Sequence, residues 1–296
     1  MLSPECAGSA FDGHDGVANK ASRISGMSDR PINTKVLITV MTYPHPSRGY
    51  QELVCTAGIT ENDEWVRLYP IDYRYRPRSQ QFRKYQWVEI DLLPRGDKND
   101  RRKESRKPFL DSLQVLGEPL STKKGWQERR EIIDRMPTYT VKQLRELHET
   151  ERISLGIVRP TRVLDLKIEP AESEWKPEWQ NLFDQLTLFG PVQKPLRKIP
   201  YKFSYVFECE DSHRPHNAMI EDWELGVLWL NEVARLGDEE QAALSVKRKF
   251  FDEICSDKKD TLFFMGTVFP YNTWVVLGIF WPPKQSKPDF IQGSLF

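Results

Sequence analysis

The sequence contains little cysteine, and its spacing excludes the usual disulfide and zinc frameworks. Only 4 of the 296 residues are Cys, they lie far apart, and none forms a Cys-x-x-Cys pair. Proteins stabilised by disulfides are usually richer in cysteine, and small zinc modules use closely spaced pairs. The composition therefore predicts a protein of a reducing compartment, and we expect a cytoplasmic location.

Net charge and long apolar runs are also lacking. The 43 basic residues balance the 43 acidic ones, so a charged partner would have to be recognised by a local patch. No apolar run approaches the roughly 20 residues that span a bilayer, and no membrane partner is expected. Residues 1–33 have neither the basic start nor the apolar stretch of a signal peptide, and we predict a disordered leader there.

The sequence offers few motifs of known catalytic chemistry. It has no Gly-rich phosphate loop and no Gly-x-Ser-x-Gly element. Glu89 and Asp91 alternate onto one strand face, where carboxylates could bind Mg²⁺ for nuclease chemistry. Cys209, His213 and His216 are of ligand types suited to zinc, without an obvious fourth ligand. The alternatives are a solvated strand face and a polar hairpin loop, so we expect no cofactor unless a Mg²⁺-dependent nuclease site exists.

Short segments typical of β-strands dominate the first part of the chain. Residues 35–44, 51–59, 64–71 and 85–94 are β-branched or alternate between apolar and polar side chains, and only short turns separate them. Closely spaced strands of this kind predict a small antiparallel β-barrel, OB-like in character, over residues 34–120.

Helical patterns follow in a connector that is rich in Trp and Pro over residues 121–200. Residues 123–136 and 140–151 are predicted as helices. Thr140 lies at the start of the second helix, where its hydroxyl could accept a bond from a free backbone N–H as an N-cap.

Residues 201–283 predict a mixed unit of strands and helices. Alternating strands flank two amphipathic helices, at 220–236 and 238–254. A flexible tail is predicted over 284–296. The predicted fold class is therefore α+β, with an OB-like β-barrel first and a β-rich unit with two helices second.

One segment combines basic and aromatic residues. Residues 67–107 contain 13 basic and 6 acidic residues, interleaved with tyrosines. Cations neutralise phosphates and aromatic faces stack on bases, so this segment predicts contact with DNA or RNA. A solvated loop whose aromatics serve the core is the alternative. The predicted contact residues are Arg67, Tyr69, Arg74, Tyr75, Arg76, Arg78, Arg83, Lys84, Arg101 and Arg102.

The chain ends on a short apolar peptide behind a polar linker. Gln292, Ser294, Leu295 and Phe296 form a pattern that resembles the peptide by which bacterial replication and repair proteins bind the sliding clamp. The resemblance implies that Leu295 and Phe296 fill an apolar pocket while the Gln292 amide makes directional hydrogen bonds. Docking of these residues on the protein's own surface is the alternative. A second candidate lies at 185–189, where a buried helix end is the competing interpretation.

The barrel segment also resembles a known domain type. The matching residues are Cys55, Ala57, Gly58, Ile59, Trp65 and Arg67. They resemble the opening of dual-OB-type domains attached to prokaryotic conflict and defence systems, and the resemblance implies sensing of invading nucleic acid.

These observations favour a nucleic-acid-binding accessory protein that is associated with DNA and tethered to the replication sliding clamp, in repair or phage defence. One alternative is a metal-dependent nuclease of a defence system that uses Glu89 and Asp91. The other is a protein-interaction module without nucleic acid. Enzymatic activity is not the leading expectation.

Overall fold

The computed structural model describes residues 30–47, 51–93, 100–179, 196–268 and 272–285. The predicted leader up to residue 29, the clamp-like segment at 185–189 and the clamp-like tail at 292–296 lie outside these ranges. Within them, no helix is both long and apolar enough to cross a membrane.

The first unit is a closed barrel of five strands. The strands of this unit are β1 (Ile32–Met41), β2 (His45–Ser47), β3 (Gln51–Leu53), β4 (Thr56–Thr60), β5 (Trp65–Leu68), β6 (Trp87–Leu93) and β7 (Ser105–Leu116). The barrel order is β1-β4-β5-β7-β6, while β2 and β3 form a separate ribbon. All neighbouring barrel strands are antiparallel except β5 and β7, which are parallel. This order defines an OB-type barrel and confirms the predicted fold class.

Alternation of side chains builds the interior of this barrel. In β6, Val88, Ile90 and Leu92 are buried, and the residues between them are half-buried on the outer side. The period of two is the strand pattern seen in the sequence. Gly58 allows β1 and β4 to approach closely, because a Cβ at this position would lie 2.3 Å from the carbonyl oxygen of Leu37.

The second unit combines strands with helices. Its strands are β8 (Thr138–Tyr139), β9 (Leu155–Val158), β10 (Arg162–Pro170), β11 (Tyr201–Glu208), β12 (His216–Met219), β13 (Leu262–Val268) and β14 (Thr273–Phe280). The helices are α1 (Lys123–Ile133), α2 (Val141–Glu151), α3 (Trp223–Leu236) and α4 (Glu239–Lys247), the last continued by a π-helical turn at Arg248–Glu253.

The strand order of the first barrel recurs in the second unit. β9 and β10 are separated by three residues and act as one bent first strand, because β9 pairs with β13 and β10 pairs with β11. β11 pairs with β12, and β13 pairs with β14. A parallel bridge between Ile220 and Val276 joins the end of β12 to β14. The second unit therefore consists of two sheets, β10-β11-β12 and β14-β13-β9-β8, that this bridge links. Numbered along the chain, its strands are neighbours in the order 1-2-3-5-4, as in the first barrel, and we call the unit the second barrel. Helices α3 and α4 lie between its third and fourth strands.

The two barrels share an apolar core. One cluster of buried side chains contains Val40, Ala57, Ile59 and Tyr85 from the first barrel and Leu155, Ile157, Phe264, Val275, Leu277 and Phe280 from the second. Ala57 and Ile59 are 1% and 0% exposed. The ring of Trp65 on β5 lies 5.8 Å from that of Phe264 on β13. The second barrel therefore covers the outer face of β4 and β5.

Three local predictions need correction. The last strand predicted for the first unit ends at residue 94, but β7 begins at Ser105 and buries Pro108. The strand expected over 51–59 is interrupted between β3 and β4. The helix expected from residue 123 becomes regular only after Trp126, because Lys124, Gly125 and Trp126 have φ angles of 50°, 67° and 67°.

Candidate nucleic-acid interface

Arg67 lies at the junction of the two barrels. Its side chain is 1% exposed, and its Nη2 donates to the carbonyl oxygen of Ser154 at 3.1 Å. The Glu104 carboxylate accepts from the Ser154 hydroxyl at 2.7 Å and from the Ser154 backbone N–H at 2.9 Å. Burial lowers the pKa of the Arg67 guanidinium. The side chain joins the barrels and is not on the surface, which corrects its predicted role in nucleic-acid contact.

Arg102 is buried in the same junction. Its Nε and Nη2 each donate to the Asp100 carboxylate at 2.8 Å, and its Nη1 donates to the carbonyl oxygen of Thr267 at 3.2 Å. Burial raises the pKa of the Asp100 carboxyl, but the hydrogen bonds from Arg102 outweigh this effect and lower it to about 2. Arg102 is 8% exposed, so it too is removed from the predicted interface.

Lys84 forms a third buried contact between the barrels. Its Nζ lies 2.8 Å and 3.0 Å from the two carboxylate oxygens of Asp222, and 3.1 Å from Glu224 Oε2. Burial raises the pKa of Asp222 to about 6 against the opposing effect of the Lys84 ammonium. Asp222 also caps α3 by accepting from the Glu224 N–H at 2.8 Å. Lys84 is 7% exposed, and the prediction of nucleic-acid contact is corrected for it as well.

Three further arginines of the predicted interface are paired with carboxylates. Arg74 donates to the buried Glu52 at 3.0 Å, and Arg76 holds Asp72 through two bonds of 2.7 Å and 2.9 Å. Arg83 is exposed and pairs with Glu118. Tyr75 is half-buried, and burial raises the pKa of its hydroxyl. The positive charge of the segment is therefore largely neutralised within the protein.

The remaining predicted residues are Tyr69, Arg78 and Arg101, all exposed. Tyr69 follows β5, and its backbone N–H donates to the carbonyl oxygen of Arg106 on β7 at 3.3 Å. This bond brings Tyr69 next to basic residues that the sequence reasoning did not select as contacts. We define the β5–β7 surface as Tyr69, Arg101, Lys103, Arg106, Lys107 and Phe109.

Side-chain alternation gives this surface its orientation. Leu68 is 0% exposed and Tyr69 is 44% exposed, so Tyr69 points outward from the barrel. On β7, Pro108 is buried between Lys107 and Phe109, both of which are exposed. Because Leu68 pairs in parallel with Arg106, Tyr69 lies level with Lys107, and Phe109 is two residues further along the same face. Phe109 lay just beyond the basic segment in the sequence and carried no motif that would have selected it.

Carboxylates border the surface at both ends. Glu151 Oε2 lies 3.4 Å from Lys103 Nζ, and Asp111 is exposed on β7 two residues after Phe109. Asp91 is the cross-strand partner of Phe109 on β6. Its Oδ1 accepts from Asn33 Nδ2 at 2.9 Å. The surface is therefore basic on the side of Lys107 and acidic beyond Phe109.

The described residues do not form a metal site around the ligands that the sequence suggested for Mg²⁺ or zinc. Glu89 and Asp91 are half-buried on β6, and Asp100 is held by Arg102. His213 is exposed, whereas His216 Nε2 lies 2.8 Å from Ser212 Oγ. Over the described ranges, no group of three or more His, Cys, Asp or Glu side chains could hold a metal ion. Burial raises the pKa of the Cys209 thiol, which disfavours the thiolate that zinc requires.

The geometry defines a protein in which an OB-type barrel and a second barrel of the same strand order are joined by a buried junction. Residues 137–296, more than half of the chain, match the family model for the domain of unknown function DUF8757, and residues 32–135 match that for the domain of unknown function DUF8758. The chain therefore belongs to the DUF8757 family. No curated protein matches the sequence.

Two solved structures resemble the chain distantly. A murine DNA-binding protein bound to double-stranded DNA is 10% identical, with 86% of this chain and 97% of that chain covered and a TM-score of 0.28. A replication protein A heterotrimer bound to single-stranded DNA is 11% identical, with 88% and 67% covered and a TM-score of 0.23. At these TM-scores, neither similarity carries functional information about this chain.

Proposed function

We propose that this protein is a DNA-associated accessory protein that binds nucleic acid through the β5–β7 surface. The observation that carries the proposal is a basic edge next to two exposed aromatic rings; Arg101, Lys103 and Lys107 in this edge are exposed, and Arg106 is half-buried. Cations on one edge can neutralise phosphates although the molecule as a whole has no net charge.

The covered face of β4 and β5 supports this location. OB barrels commonly bind oligonucleotides on the face of their second and third strands and on the adjoining loops. Here Ala57 and Ile59 on the second strand and Arg67 on the third are buried against the other barrel. The β5–β7 surface begins at Tyr69, two residues beyond Arg67 on the same strand face, and is the exposed continuation of that covered face.

The proposal includes a tether at the C-terminus. Gln292, Ser294, Leu295 and Phe296 would engage the replication sliding clamp, in a repair or phage-defence setting. Its support is the peptide pattern together with the anchoring of the preceding chain, where the Lys284 N–H donates to the carbonyl oxygen of Lys258 at 2.9 Å. A tether raises the local concentration of the protein on DNA, so the β5–β7 surface need not bind tightly by itself.

Nucleic-acid binding is tested by fluorescence anisotropy over a series of salt concentrations. We expect the affinity of the wild-type protein to fall steeply with salt. The Arg106→Gln/Lys107→Gln variant should bind more weakly, with a slope of log affinity against log salt that is flatter by about 2. The matched control is Lys167→Gln/Lys202→Gln, which removes two exposed cations from the second barrel. An affinity that does not depend on salt would instead favour a protein-interaction module.

The tether is tested by clamp capture. Full-length protein should be retained by an immobilised bacterial sliding clamp, and Leu295→Ala/Phe296→Ala should abolish retention. Lys287→Ala, in the linker, is the control and should bind as the wild type does. Equal retention of all three proteins would exclude the tail as the clamp-binding element.

A further inference from the structure

We propose that the β5–β7 surface binds unpaired bases, so that its ligand is a single strand rather than a duplex. This inference rests on the proposed nucleic-acid function and specifies its substrate class. It is carried by the two aromatic rings of the surface and by the charges around them.

The exposed aromatic rings are concentrated in one place. Within the described ranges, Tyr69 and Phe109 are the only Phe, Tyr or Trp side chains that are exposed, at 44% and 48%. Tyr69 directly follows β5, Phe109 lies on the parallel neighbour β7, and both point to the same face of the barrel. Other rings of the basic segment are packed inside, as for Tyr73, whose ring lies 5.1 Å from that of Phe82. Tyr69 and Phe109 therefore differ from the other described aromatic rings in being exposed.

The spacing of the Tyr69 and Phe109 backbone positions suits an extended strand. Adjacent strands lie about 4.8 Å apart and two residues along a strand span about 6.7 Å, so the two Cα positions are separated by about 8 Å. Successive bases of a duplex rise by only about 3.4 Å and stack on each other. Two bases on these rings would thus be unstacked from each other, with their faces open to the aromatic side chains. Only an unpaired strand has bases that are unstacked from each other and whose faces are open to aromatic side chains.

The charges around the rings indicate where the phosphates would lie. Lys107 is level with Tyr69 and two residues from Phe109 on the same face, and Arg106 is anchored by bonds from Nη1 to the carbonyl oxygens of Lys103 and Ser105 at 2.9 Å and 2.8 Å. Asp91 lies on the opposite side of Phe109. The sugar-phosphate backbone would therefore follow the Lys107 side and avoid Asp91.

The test compares three fluorescent ligands of the same length, roughly 16 nucleotides: a single strand, its duplex and a single strand with abasic sites. We expect the wild-type protein to prefer the single strand to the other two. Tyr69→Ala/Phe109→Ala should weaken binding of the single strand by about tenfold or more per ring, with little effect on the duplex or the abasic strand. Tyr69→Phe/Phe109→Tyr keeps both rings and should retain the preference.

Controls separate this inference from loss of fold and from the broader proposal. Leu236→Ala/Leu244→Ala removes two exposed apolar side chains from the second unit and should bind normally. Asp91→Asn should strengthen binding of all three ligands.

Duplex binding that equals single-strand binding, and that survives loss of the rings, would overturn this inference and leave nucleic-acid binding intact. Failure to bind any of the three would overturn both. A wild-type dimer that dissociates in the Tyr69→Ala/Phe109→Ala variant would assign the rings to a second copy of the chain instead.

Discussion

At the scale of single residues, burial separates arginines that look alike in the sequence. Arg67 and Arg78 belong to the same basic aromatic segment, yet one is enclosed between two barrels and the other is exposed. The partners of Arg67 are Ser154 and, through it, Glu104, which lie 87 and 37 positions further along the chain. No local pattern identifies contacts across such separations.

This difference predicts unequal effects of the two substitutions on stability. Arg67→Ala should lower the free energy of unfolding by about 3–5 kcal/mol, because it removes a buried charge and leaves polar partners unmatched. Arg78→Ala should change it by less than about 0.5 kcal/mol. Urea unfolding of both variants measures the contrast. Similar stability of the two variants would show that Arg67 does not hold the barrels together.

Asp100 predicts a sensitivity to acid. Its pKa in the folded protein is about 2, below the ordinary value of 3.8, so its contribution to stability is present above pH 4 and is lost as the pH falls toward 2. The contribution amounts to about 2 kcal/mol at neutral pH. Asp100→Asn should therefore be less stable than the wild type at pH 7, and the two unfolding curves should converge near pH 2. A stability difference that is constant with pH would contradict this assignment.

At the scale of elements, the sequence predicted helix ends better than strand ends. Thr140 was expected to cap α2 and does so: its hydroxyl accepts from the Gln143 N–H at 3.2 Å, and the Gln143 side chain accepts from the Thr140 N–H at 2.8 Å. A capping box joins residues that are three positions apart, so its signature can be recognised in the sequence. β7 was not predicted as a strand, because its inward residues include Ser105 and Pro108 and its exposed side includes Phe109.

The capping box gives a prediction for α2. Thr140→Ala should lower the free energy of unfolding by about 1 kcal/mol, because it leaves a backbone donor without its acceptor. The loss should be slightly larger than for an isolated cap, since the Thr140 hydroxyl also donates to Asp211 at 2.7 Å. Thermal unfolding measures the change. Thr140→Ser retains the hydroxyl and is expected to remain near wild-type stability, and an equal loss in both variants would argue against the cap.

At the scale of the whole molecule, two barrels with the same strand order have separate interior clusters and share a third apolar cluster at their junction. The cluster that contains Ile59 and Phe264 is continuous across the junction, and the buried groups Arg67, Lys84 and Arg102 bond across it. Separate domains usually meet over smaller and more polar surfaces. The chain therefore matches two family models while its barrels are packed as one body.

Cooperative unfolding should follow from the shared core. We expect a single calorimetric transition for the full chain, because exposure of Ile59 or Phe264 would disrupt both barrels together. Residues 30–135 expressed alone should be markedly less stable and should expose apolar surface. Two separate transitions, or full stability of the isolated first barrel, would contradict a common core.

The sequence by itself determined the fold class, most strands, the helices and the cap of α2, because these depend on alternation and on neighbours within a few positions. It also identified the basic aromatic segment as the region of interest. Only the tertiary structure decided which of its residues are available. The second barrel encloses Arg67, Lys84 and Arg102 and leaves Tyr69 and Phe109 exposed side by side. Burial depends on packing between residues far apart in the chain, and for that reason it could not be read from the segment alone.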